Sequence, residues 1–204
     1  FLHTRERREI LAFAFTCFAA AAYQAASGGL YMAGTTLEGA ACQVWQAASL
    51  ALFVPCMLWF ASTLVHRTLR WWDYLVIDYF LAQIVALLVD HTGLTWTHTP
   101  MTKSMLLFGR YSVIYYEVAP GILMQAQTLI GLAVSLYIIF LILRHYRHEH
   151  RAEVGVVLSS LTLMLVAAFH DSAVGVGYYQ GIYVMEFAYL GIVLAMAYIL
   201  TASQ

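Results

Sequence analysis

Residues 121–143 read GILMQAQTLIGLAVSLYIIFLIL, 23 consecutive positions without a charged side chain, closed by Arg144. A helix crossing ~30 Å of hydrocarbon needs about 20 mainly apolar residues. In hydrocarbon such a segment must be helical, because a lone strand leaves its backbone N–H and C=O groups unpaired. The same reading applied outward gives further spans at 10–33, 41–65, 72–91, 153–171 and 178–201. The expected fold class is therefore an all-α membrane protein, a six-helix transmembrane bundle forming one domain over residues 1–204. Pro55 falls inside the second span, where it is expected to kink the helix.

The composition agrees. Hydrophobic residues make up 62% of the chain and charged residues 10%, with a mean hydropathy of +0.75. A soluble domain has about 45–50% apolar and about 25% charged residues, so this chain could not cover a water-facing surface. A net charge of −1, with no basic, aromatic-interleaved patch, excludes nucleic acid as a partner. Cys17, Cys42 and Cys56 are isolated and odd in number, neither a disulfide framework nor a zinc site. Ile10–Tyr23 continues apolar to about Ala33 without a cleavage-like end, so it does not read as a signal peptide. The chain starts at Phe1 rather than Met and is expected to be part of a longer protein.

Charge sets the expected orientation. Arg5, Arg7 and Arg8 precede the first span, Arg67 and Arg70 separate the second and third, and Arg144, Arg147 and Arg151 separate the fourth and fifth. Only Lys103 and Arg110 lie in the alternate connections. Eight of the ten cations thus share one side, which the positive-inside rule assigns to the cytoplasm, together with both chain ends. Trp71 and Trp72 at the inner edge, and Tyr178 and Tyr179 at the outer edge, suit the interfacial aromatic belts. The expected location is the cytoplasmic membrane, with the lipid bilayer as the first partner.

The connection Thr92–Pro120 is too long to be a mere joint. Its second half reads as a β-hairpin: Met101–Phe108, Gly109-Arg110, then Tyr111–Val118. Gly at the first central position suits a type II′ turn, and the second arm is rich in Tyr, Val and Ile. An extracytoplasmic hairpin lid is expected; an irregular loop lying on the membrane is the alternative. Ala19–Ala22, Gly28 and Gly29 in the first span, and Gly177 and Gly181 in the last, are small residues that allow close helix contact.

Polar residues recur at helical spacing. Tyr79, Gln83, Ala86 and Asp90 share a face of the third span, Tyr179, Tyr183, Glu186 and Leu190 a face of the last, and Thr16, Ala20, Tyr23 and Ser27 a face of the first. Such stripes turn from lipid into the bundle, either as interhelical hydrogen bonds or as the lining of a polar pocket open to the outside. Asp73 beside Arg70 reads as an interfacial anchor, while Asp78, one and a half turns deeper, is harder to accommodate. Glu186 is expected eight residues, roughly 12 Å, into the last span, facing inward and neutral or hydrogen-bonded.

Asp90-His91 and His170-Asp171 close two spans at the outer face, with Glu117 nearby. These residues form either a hydrogen-bonded rim or a metal site, although no ligand spacing among them demands a metal or a haem. The candidate ligand-binding or signalling set is Asp90, His91, Glu117, His170, Asp171, Tyr183 and Glu186, with no catalytic residue, no metal ligand and no identified cofactor. His145, His148 and His150 fall in the basic inner connection, in a solvated or lipid-facing role. There is no Gly-rich phosphate loop and no G-x-S-x-G. Arg70–Tyr74 resembles part of the third helix of microbial rhodopsins, but the one lysine, Lys103, lies in the outer loop, which excludes a retinal Schiff base.

Several local stretches carry a wider resemblance. They are Thr4-Arg5-Glu6-Arg7-Arg8-Glu9 before the first span, Tyr31 at its end, and Glu38 leading to Trp45-Gln46 and Trp59-Phe60. Tyr116-Glu117-Val118-Ala119-Pro120-Gly121 closes the outer loop; Asp171, Gly181–Phe187 and Ala197–Leu200 complete the set. Together they resemble the N-terminal seven-helix membrane sensor domain of bacterial histidine kinases and diguanylate cyclases. Ala47 and His170 depart from that pattern, where Arg and Asn are frequent. The resemblance implies a sensory input domain in signal transduction, including two-component systems. It also implies a further helix before Phe1, a cytoplasmic output after Gln204, a small-molecule or lipid ligand, and a homodimer. The parent would be a histidine kinase or cyclase, with no reaction catalysed by this chain. Two rival readings are an accessory subunit of a larger membrane complex and a membrane metal or haem protein using the outer His and Asp residues.

Overall fold

The computed structural model describes residues 2–107, 111–149, 152–179 and 181–202. The elements run α1 (Leu2–Met32), α2 (Thr36–Leu64), α3 (Trp71–Val89), β1 (Trp96–Leu107), β2 (Tyr111–Pro120), α4 (Ile122–Glu149), α5 (Ala152–Val176) and α6 (Met185–Ala202). Five of the helices are long and apolar enough to cross a membrane, as in a multi-pass membrane protein; α6 is apolar but shorter, at 18 residues. Consecutive helices run in opposite directions, so the hairpin lies at the end where α1, α3 and α5 finish and α2, α4 and α6 begin.

The most enclosed helix is α2, with α1, α3, α4 and the hairpin packed round it. It stays helical through the buried Pro55. The ring closes through α4 on α5, α5 on α6 and α6 on α1. Its centre is aromatic: the fully buried Tyr189 meets Phe53 at 4.6 Å and Tyr23 at 4.8 Å between ring centroids. Thr16, Ala20 and Ser27 are buried, as the stripe on α1 predicts. The outer flanks stay apolar and exposed: Phe15 and Phe18 on α1, Leu129 and Phe140 on α4, Leu163 and Phe169 on α5. Water would penalise such a continuous apolar surface and hydrocarbon would not.

The hairpin is present, antiparallel from Leu107↔Tyr111 to Pro100↔Val118, with an irregularity before Trp96↔Pro120. Its arms exceed the expected ones because Pro100 and Trp96 also find partners, in Val118 and Pro120. The Gly109-Arg110 turn lies outside the described residues.

Three expectations need correction. The last helix starts at Met185, not residue 178, and α5 continues to Val176 rather than stopping at Asp171. The reason is local: Gly177, at φ +81°, turns the chain, and the Asp171 carboxylate accepts the N–H groups of Val184 (2.8 Å) and Met185 (2.9 Å), fixing the new start. Gly177 and Gly181 therefore shape a loop and bring no helices together. Asp73 lies in the first turn of α3 beside Arg70, the place of an interfacial anchor. It is fully buried, accepting from the Arg67 guanidinium, the Tyr137 hydroxyl (3.4 Å) and the Arg70 backbone N–H (2.6 Å). At Arg67, burial opposes the charge, but hydrogen bonds from its guanidinium to Tyr137 and Asp73 outweigh it and raise the pKa.

Candidate functional site

The helix starts and ends beneath the hairpin carry a polar cluster. Strand alternation turns Tyr115 and Glu117 of β2 toward the helices, where both are buried. Lys103 pairs with Tyr115 across the ladder and thus faces the same way. Its ammonium donates to Glu117 Oε2 at 2.6 Å, to the Gly175 carbonyl at the end of α5 at 3.0 Å, and to the Tyr183 hydroxyl at 3.2 Å. Tyr183 in turn donates to Glu117 Oε1 at 2.8 Å. Burial, and next the negative charge of Glu117, push the Tyr183 phenol up, so it stays a neutral donor. Both oxygens of Glu117 are satisfied, which makes a carboxylate tolerable at 3% exposure.

A second tier lies beside the first. The ring of Tyr115 sits between those of Tyr31 (5.4 Å) and Tyr183 (5.6 Å). The Tyr31 hydroxyl reaches both oxygens of Glu186, at 3.1 and 3.2 Å, and Gln24 donates to the Glu186 carbonyl at 2.6 Å. Glu186 is the second residue of α6, so the expected depth of eight residues is corrected to the first turn. There the unpaired N–H groups and the helix dipole offset part of the cost of burying a carboxylate. Glu186 does bond to another helix, as expected, but half-buried at the α1–α6 seam. It borders an open, apolar groove of about 390 Å³ lined by Cys17, Gln24 and Leu190. Tyr179 and Tyr183 precede the helix, so the expected stripe through them does not exist.

Two residues seat the hairpin. The Gln43 amide of α2 accepts from the Val118 N–H (2.8 Å) and donates to the Val118 carbonyl (3.3 Å), pairing with β2 as a strand would. A turn away, Gly39 lets β2 come so close that an added Cβ would stand 1.5 Å from the Tyr116 carbonyl oxygen.

The remaining candidates separate. Asp90 caps the loop after α3, accepting from the N–H and hydroxyl of Thr92 and of Thr95 at 2.6–2.8 Å. Those bonds, the Thr92 hydroxyl foremost, hold its carboxyl below the usual carboxylate range. His91 is exposed beside it. His170 bonds Asp171 through Nδ1 (2.9 Å) and stacks edge-on against Tyr179. Asp171 is a helix cap. Among the described residues no three His, Cys, Asp or Glu side chains gather as metal ligands. Thus Glu117, Tyr183, Glu186 and Asp171 converge where the hairpin, α5 and α6 meet, whereas Asp90 and His91 serve the α3–hairpin loop.

Lys103, Tyr31, Tyr115 and Gln43 were absent from the expected set. One signal for Lys103 stood in the sequence: the sole lysine, within an apolar arm, two residues from Met101 and Met105. Chemically the cluster can transmit a displacement or accept a polar ligand in place of its own bonds. Comparison of the chain with protein-family models, with curated proteins and with solved structures finds no match in any of the three.

Proposed function

We propose that the chain is the membrane-embedded sensory input domain of a bacterial signalling protein, which takes up a stimulus at the hairpin end and passes it along α6 to a cytoplasmic output. In this reading all six helices cross the cytoplasmic membrane, both chain ends are inside, and the hairpin is outside. The domain works as a homodimer or within a larger membrane complex, and the stimulus is a small molecule or a lipid.

One observation carries the proposal: Lys103, Glu117 and Tyr183 join the hairpin, the end of α5 and the segment leading into α6 in one buried cluster. A ligand that displaces the hairpin must break these charge-assisted bonds, and the next structured element is α6. A rigid helix of 18 residues extends ~27 Å, enough to carry a shift across most of a bilayer. Glu186 holds the start of α6 to α1 through Tyr31, and breaking that bond would release the helix start.

The test is the full chain fused to a kinase output. Lys103→Met, Tyr183→Phe and Glu186→Gln should insert and change the basal output, Lys103→Met at reduced stability, and Glu186→Leu should impair folding as well. Wild-type output from the first three would end the sensor reading. Reporter fusions at positions 38 and 105 should behave as external, and those at 68 and 148 as internal. A cytoplasmic signal from 105 would overturn the orientation.

A further inference from the structure

We propose that the outward face of α3 is the docking surface for a transmembrane helix of a different protein, one that carries an arginine or lysine at the depth of Asp78. The proposal rests on the membrane-spanning reading of α3 and needs nothing of the sensory one.

The buried residues of α3 are Asp73, Phe80, Gln83 and Leu87, the side toward α2 and α4. At 3.6 residues per turn, Asp78 is half a revolution away from Leu87. It is exposed, and it makes no hydrogen bond or ion pair among the described residues. Above and below it the exposed stripe is apolar or aromatic: Tyr74, Leu75, Leu81, Val85 and Leu88. Trp71 and Trp72 mark the interface, and Asp78 lies seven residues beyond Trp71, roughly 10 Å along the axis. A short carboxylate at that depth cannot reach the interface as Lys or Arg would. Its three fellow acids on or next to this helix and α6, namely Asp73, Asp90 and Glu186, all have partners. Asp78 stands out as the one prepared for a partner from outside.

Charge complementarity selects the occupant. A second copy would bring Asp78 against Asp78, since the arginines of this chain lie at helix ends; Arg70 is eight residues, about 12 Å, below. A cation on another helix neutralises the carboxylate and supplies donors in one contact. Around it the Leu and Val stripe offers ordinary helix packing.

The experiment uses the full chain in lipid vesicles and a synthetic leucine-alanine transmembrane peptide bearing one Arg seven residues from one end. Association is read by energy transfer. The Arg peptide should bind at least tenfold tighter than the same peptide with Leu there; Asp78→Glu should keep that preference and Asp78→Leu should lose it. Equal binding of both peptides overturns the proposal, as does cross-linking between copies of the chain through Leu81→Cys. A control separates the two premises, using Asp78→Cys and Leu163→Cys in a background without Cys17, Cys42 and Cys56. If a charged, water-soluble maleimide labels neither site, the face lies in hydrocarbon as required. Labelling at 78 alone overturns the docking surface; labelling at both overturns the membrane-spanning reading itself.

Discussion

Lys103 and Glu117 meet at 2.6 Å between adjacent strands, with the Glu117 side chain 4% exposed and that of Lys103 16%. The pair is offset by one residue pair on the same face of the ladder, since Lys103 stands opposite Tyr115 and Glu117 opposite Met101. Truncating one member strands the other. Lys103→Met should therefore cost about 3–5 kcal/mol, because a buried carboxylate loses its counter-charge. Adding Glu117→Leu to Lys103→Met should restore a good part of that loss. Chemical denaturation of the purified protein measures both; an additive double variant would show that the pair is not coupled.

The Asp90 cap makes the α3–hairpin loop acid-resistant. Its folded pKa is depressed, so its contribution is present in full above the unfolded value of about 3.9 and is lost as pH falls through the lower folded value. Amide exchange at Thr92 and Thr95 should stay protected down to pH values at which an ordinary carboxylate has taken up its proton. Asp90→Ala should abolish that protection at every pH. Loss of protection in the wild type near pH 4 would mean that the cap bonds are not made.

Two glycines should respond oppositely to alanine. At Gly39 a Cβ would collide with the Tyr116 backbone, so Gly39→Ala should destabilise by about 1–3 kcal/mol and loosen the hairpin. Gly28 lies in α1 with nothing within 4 Å of an added Cβ, and Gly28→Ala should stabilise by about 0.5–1 kcal/mol. Paired unfolding curves decide the matter, and similar midpoints for the two variants would refute the close contact.

Asp171 sets where α6 begins. Asp171→Ala frees the N–H groups of Val184 and Met185 and should cost about 0.5–2 kcal/mol. Faster amide exchange confined to the first turn of α6 would be its signature. Asp171→Asn, which keeps one acceptor, should fall between the two. An effect spread evenly over α5 and α6 would assign Asp171 to general packing instead.

By itself the sequence determined the helices and the hairpin. Long uncharged runs admit no other backbone state in hydrocarbon, and a β-rich arm after Gly109-Arg110 needs a partner strand. It also placed Glu117 and Asp171 near one end, since each adjoins an end of a span, but it set Tyr183 and Glu186 inside the last span. The tertiary structure alone decided which of them meet. Lys103 and Tyr183 are 80 positions apart, and Tyr31 and Glu186 are 155 apart. Hydropathy could not find the start of α6 either: residues 178–184 are apolar enough to continue a helix, and the break comes from Asp171, thirteen residues before Val184. Nor could it tell the buried Asp73 from the exposed Asp78, five residues apart on one helix. Periodicity says which residues share a face, but only packing against α2 and α4 says which face is inside.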